Sequence, residues 1–136
     1  MPDATATLDS FWNHLARSPS LAVLVDLDGT LIPFAPTVEE AALDDAGAAV
    51  LRRLAEAGVR VAVVSGRQRA AIDAVREAVP AAWWFAEHGA WRWADGGWRP
   101  PDQAVELGDL ARRLALVAER TPGARLEQKS LAVGLH

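Results

Sequence analysis

Cysteine is absent from the 136 residues, which excludes disulfides and thiolate metal sites and permits a reducing compartment. Lysine is nearly absent, Lys129 being the only one, and 14 basic residues face 18 acidic ones for a net charge of -4. With both signs mixed along the chain, there is no basic face for nucleic acid and no polybasic anchor for a membrane surface. No stretch approaches the roughly 20 apolar residues that span a bilayer. A secretory signal is excluded by Asp3, Asp9, Asn13, His14 and Arg17, which interrupt the region where a basic start and an apolar run would lie. Repeats and low-complexity tracts are also missing. What is present is 51% hydrophobic residues, enough to bury a core in one modest domain. The expectation is a cytoplasmic globular protein without nucleic-acid or membrane partners.

Spacing and punctuation then divide the chain. Leu8, Phe11, Trp12 and Leu15 recur at helical intervals before Pro19, so residues 1–20 read as a leading helix. Leu21 to Val25 is a short, continuous apolar run, expected to be a strand buried on both faces. Residues 27–38 hold Gly29, Pro33 and Pro36 and read as loop. A helix is predicted over Asp44 to Ala57, with Val50, Leu51 and Leu54 on one face and Gly58 at its end. Val59 to Val64 is a second buried strand, Arg69 to Ala78 a helix, and Trp83 to Ala86 a third strand. This alternation gives an α/β fold, a Rossmann-like parallel sheet with flanking helices, across residues 21–104. Ligands of such sheets bind beyond the carboxyl ends of the strands, where Asp26, Ser65 and His88 fall. A hairpin turns at Asp95-Gly96-Gly97, Pro100-Pro101 is a linker, and residues 105–136 hold a helix followed by two short strands around Lys129-Ser130. The chain reads as the amino-terminal part of something longer, because three parallel strands, a helix and a strand pair leave sheet edges uncovered.

Asp26-Leu27-Asp28-Gly29-Thr30 carries the chemistry. Moving a phosphoryl group onto a carboxylate brings anions together, opposed by about 4 kcal/mol per charge pair at 4 Å and an effective dielectric near 20. A hard cation such as Mg²⁺ offsets this, and two aspartates at i and i+2 divide the work. One attacks phosphorus and holds the ion; the other, turned by the tight loop, serves as general acid and then base. A plain Asp-Gly turn is the competing interpretation, but these four fixed residues arise by chance only on the order of once in a thousand such sequences. Ser65-Gly66-Arg67, between a strand and a helix, offers a hydroxyl and backbone N–H groups to a phosphate, or simply caps the helix. Glu87-His88-Gly89 leaves His88 open between pocket shaping and a structural hydrogen bond. The six tryptophans suit core and hairpin packing better than sugar stacking. Lys129, on its residues alone, reads as a solvated charge.

The Asp26 to Leu31 and Val63 to Arg67 segments resemble the first two motifs of the haloacid-dehalogenase-like phosphatases. Pro33, the Ser-Gly-Arg form of the second motif, Glu87-His88-Gly89, and Gly123, Glu127, Lys129 and His136 resemble the trehalose-6-phosphate phosphatase family in particular. The resemblance runs from about Leu21 to the last residue. It implies a haloacid-dehalogenase-like core and the start of an α+β cap over residues 105–136. It also implies Asp26 as nucleophile and magnesium ligand, Asp28 as acid/base and second ligand through its carbonyl, and a sugar phosphate as substrate. Thr30, Ser65, Gly66, Arg67 and His88 would meet the phosphate side, and Glu127 and Lys129 the sugar.

The family also needs a later lysine beside the phosphate and a later Gly-Asp-Asp segment for the metal, and neither occurs in these 136 residues. Little or no turnover is therefore expected of this chain alone. The other readings are a different sugar phosphatase, such as one for sucrose phosphate, or a non-catalytic sugar-phosphate sensor. A phosphate-accepting receiver domain fits poorly, since its acidic pair lies well before its phosphorylated aspartate.

Overall fold

The computed structural model describes residues 4–37, 40–103 and 106–136. The two apolar runs become β1 (Ala22–Asp26) and β2 (Arg60–Val64), paired in parallel with Asp26 opposite Val64. β3 (Trp83–Ala86) lies parallel on the far side of β2, with Phe85 opposite Val64. Three strand ends therefore fall in one row. The hairpin strands β4 (Trp91–Ala94) and β5 (Gly97–Arg99) then add antiparallel, giving one five-stranded sheet in the order β1-β2-β3-β4-β5.

The sheet differs from the three parallel strands expected, and the reason is local. Only four residues, Glu87 to Ala90, join β3 to β4, and the φ angles of the first three, 50°, 59° and 94°, are all left-handed, which reverses the chain at once. A parallel return would need a dozen or more residues. The second difference is β1 itself. Expected to be buried on both faces, it is an edge strand paired among the described residues only with β2, and Leu24 is 72% exposed. An apolar run reports that a strand suits burial; it does not report which neighbours are present.

Among the described residues four α-helices accompany the strands: α1 (Ala4–Ala16), α2 (Asp45–Glu56), α3 (Arg69–Arg76) and α4 (Gly108–Arg120). The Asp44 side chain caps α2 by accepting the Gly47 N–H at 2.7 Å. Leu51 and Ala48 face the core while Val50, expected beside Leu51, points to solvent, since adjacent helical positions are about 100° apart. The core gathers Leu27, Ile32, Leu51, Val61, Val63 and Ile72 around Trp84, whose indole N–H donates to the Val79 carbonyl at 3.1 Å. Trp93 and Trp98 pack edge-to-face, and the guanidiniums of Arg69 and Arg76 sit over Trp91 and Trp93. Thus α3 is stapled to the hairpin. Trp83 is the exception among the inner-strand tryptophans, being 55% exposed.

The final unit is α4 with the antiparallel pair β6 (Leu126–Gln128) and β7 (Val133–Leu135). Its turn is closed by the Lys129 N–H on the Ala132 carbonyl at 2.8 Å. The expected domain boundary at 104/105, and the expected loop end at Val38, lie outside the described residues. No helix among the described residues is long and apolar enough to cross a membrane.

Candidate active site

Leu27 is fully buried, and this anchors the loop after β1. Alternation then turns both neighbours, Asp26 and Asp28, away from the core. The loop closes by hydrogen bonds from the Leu31 and Ile32 N–H groups to the Leu27 carbonyl and from the Gly29 N–H to the Ile32 carbonyl. Gly29 takes φ 78°, a left-handed conformation that favours glycine, and the exposed Phe34 ring lies against it.

The two carboxylates differ sharply in their partners. Asp26 makes no side-chain hydrogen bond or ion pair among the described residues. Asp28 is gripped by Arg67: Nε lies 2.9 Å from Oδ2 and Nη2 lies 2.6 Å from Oδ1. The guanidinium is buried, with 7% of its side chain exposed, and also donates to the Ala41 carbonyl. Such a planar fork matches a carboxylate on both oxygens.

Ser65, 1% exposed, sits at the end of β2 beside Asp26's strand end. Its Oγ accepts the Arg67 N–H at 3.1 Å, leaving the hydroxyl proton available. The next backbone N–H, that of Gly66, has no acceptor among the described residues. A Cβ on Gly66 would stand 2.6 Å from the His88 ring, so His88 lies directly over this loop. The Thr30 side chain is exposed at the rim.

Lys129 crosses from the second unit to this loop. Its Nζ donates to the Gly66 carbonyl at 2.8 Å and lies 3.2 Å from Glu127 Oε2, with only 11% of the side chain exposed. It is no solvated charge. His136 also reaches Glu127 Oε2, at 3.0 Å, and this hydrogen bond, with Lys129 adding to it, holds the Glu127 carboxyl below the usual carboxylate range. A cavity of about 770 Å³ is lined by Asp28, Gly66, Arg67, Glu127 and Lys129 together with alanines of α3. Asp26, Thr30, Ser65 and His88 stand outside its lining, on the strand-end side.

No cluster of three His, Asp or Glu side chains suited to a metal occurs among the described residues. The unpaired Asp26 carboxylate and the Asp28 carbonyl, which accepts no hydrogen bond there, fit two positions of a Mg²⁺ shell. Such ions commonly keep one or two carboxylates and several waters.

The trehalose-phosphatase family model matches residues 24–136. The chain belongs to the trehalose-phosphatase family. Trehalose-6-phosphate phosphatase of Aspergillus fumigatus superposes with a TM-score of 0.68 at 25% identity, over 91% of this chain and 48% of that one. The C-terminal domain of trehalose-6-phosphate phosphatase from C. albicans gives 0.71 at 23% identity, over 94% and 46%, and shares the fold. A haloacid dehalogenase-like hydrolase of B. subtilis, 18% identical with a TM-score of 0.58, shares the fold as well. An uncharacterized glycosyl hydrolase of Mycobacterium tuberculosis is 36% identical over 142 residues, spanning all of this chain and 10% of that protein. The chain thus spans about half the length of the solved relatives and a tenth of the curated one.

Sequence reasoning passed over Glu87. It is 3% exposed, and its carboxylate accepts from the Ser130 hydroxyl at 2.7 Å and the Leu131 N–H at 3.0 Å. The available signal was a carboxylate placed directly after the inner strand Trp83–Ala86.

Proposed function

We propose that this chain carries the nucleophile and acid/base half of a hydrolase that converts trehalose 6-phosphate to trehalose and phosphate. The supporting observation is the pair formed by Asp26, unpaired at a strand end, and Asp28, two residues on past the buried Leu27. An Asp26 oxygen attacks phosphorus as the bond to the sugar oxygen breaks, and Asp28 gives that oxygen a proton. As a carboxylate, Asp28 then takes a proton from the water that releases phosphate and restores Asp26. In the Arg67 fork Asp28 only accepts, so proton delivery requires it to turn out toward the substrate. The Thr30 and Ser65 hydroxyls and the Gly66 N–H hold the phosphate oxygens, with His88 over the loop. Arg67 keeps the acidic side of the pocket in order. Glu127 and Lys129 meet the sugar from the α4–β6–β7 unit, the beginning of a mobile cap.

Haloacid-dehalogenase-like phosphatases generally use Mg²⁺, which the Asp26 carboxylate and Asp28 carbonyl would hold here. Its charge offsets the repulsion between carboxylate and phosphate. With one strong carboxylate for the ion, and no Gly-Asp-Asp segment in the sequence, the chain alone has little or no turnover.

Phosphate release from trehalose 6-phosphate and sucrose phosphate tests this, using this chain and a full-length protein that contains it. Release from trehalose 6-phosphate by the full-length protein, lost in Asp26→Asn, is expected. A preference for sucrose phosphate would overturn the substrate, and substantial turnover by the 136-residue chain would overturn the expectation of little activity. The Arg67 fork favours one second reading, a sugar-phosphate sensor without catalysis. Tight calorimetric binding by the full-length protein with no phosphate release would select it.

A further inference from the structure

Glu87 makes contacts in two directions. Its backbone N–H donates to the Arg67 carbonyl at 2.9 Å, so its main chain is tied to the loop that grips Asp28. Its side chain goes the other way, spending both oxygens on Ser130 and Leu131, the two residues after Lys129. The Trp91 indole N–H donates to the same Ser130 hydroxyl at 2.8 Å, and Arg69 holds Trp91 from behind, 3.8 Å from the ring centroid. Reversing the chain at φ 50° strains a residue with a Cβ. Such strain persists where the surroundings fix it. Here the Arg67 carbonyl, the Ser130 hydroxyl and the Leu131 N–H do so.

We propose that Glu87 is a positioning residue, a latch that seats the β6–β7 turn on the end of β3 and thereby sets Lys129 Nζ on the Gly66 carbonyl. Among the described residues, Glu87 joins the Arg67 loop to the Lys129 turn, through its backbone on one side and its side chain on the other. The assignment deepens the proposed function, since it makes the sugar-facing lysine depend on a group that never touches sugar. The latch itself rests only on the contacts of this chain.

The single lysine makes the test clean. Acylation of Lys129 by an amine-directed reagent, read by mass spectrometry against the α-amino group of the same molecule, reports whether Nζ is seated. Amide exchange at Leu131 reports the latch directly. In Glu87→Gln, both rates should rise about tenfold, the scale of one charge-assisted hydrogen bond, while the amides of β2 and β3 keep their protection. Ser130→Ala should raise both by a smaller factor. Unchanged Lys129 acylation in either variant overturns the proposal. If Glu87→Gln loosens β2 and β3 as well, Ser130→Ala decides, and unaltered Leu131 exchange there overturns it. Failure of trehalose 6-phosphate hydrolysis would sink the functional reading and leave these rates as they are. Where the full-length protein is active, the latch predicts a raised KM with kcat little changed in Glu87→Gln, and no further rise when Lys129→Ala is added.

Discussion

Asp26 and Glu87 are both carboxylates at the carboxyl edge of one sheet, and they are opposites. Asp26 ends an edge strand and makes no side-chain bond among the described residues, whereas Glu87 follows an inner strand, is 3% exposed and has both oxygens engaged. A partnerless carboxylate contributes little to stability and is free to react. A buried, satisfied one is the reverse, because losing a partner leaves a desolvated group behind. The contrast sorts the carboxylate proposed for the chemistry from the one that holds the structure by a criterion other than residue type.

The largest effect should come from Asp26→Asn. Phosphate release by the full-length protein should fall on the order of a thousandfold or more, while urea unfolding of this chain shifts by under about 0.5 kcal/mol. A large stability loss would break the contrast. Leu27→Ala should do the opposite, costing about 2–5 kcal/mol in the same unfolding measurement because the side chain is fully buried. Arg67→Lys sharpens the middle case. A lysine cannot reproduce the two-point fork on Asp28, and with Asp28 35% exposed the loss should be about 1–2 kcal/mol.

The smallest effect is one of pH. The Glu127 carboxyl is lowered by His136 and Lys129, so its pairing is fully present above the ordinary carboxylate pKa. It is lost as pH falls through the lowered value. The Glu127 side-chain carboxyl carbon, followed by NMR, should therefore titrate below the ordinary carboxylate range, and a transition at or above that range would contradict the assignment.

Much of this arrangement is legible in the sequence because it is local. The apolar runs, the helices with Asp44 and Gly58 at their ends, and the Asp-Gly turn of the hairpin each depend on neighbours a few residues away. The Asp26 to Thr30 and Ser65 to Arg67 segments stand out for the same reason. What was missed depends on distant chain. The burial of Glu87 is made by Ser130, 43 positions later, and the exposure of Leu24 by what does not pair with β1. The hairpin's membership of the main sheet turns on three consecutive left-handed residues, the first of which, Glu87, is a type that rarely adopts that conformation.

The exposed flank of β1 bears on solubility. Its five residues contain no lysine or proline and only one charge, Asp26 at the very end, whereas β5 is three residues long and followed at once by Pro100 and Pro101. Charges, prolines and brevity are what discourage edge-to-edge pairing between copies. Among the described edges of this sheet, the strand that ends in Asp26 is thus the less guarded against self-association. Any substitution that guards it must fall within four residues of Asp26.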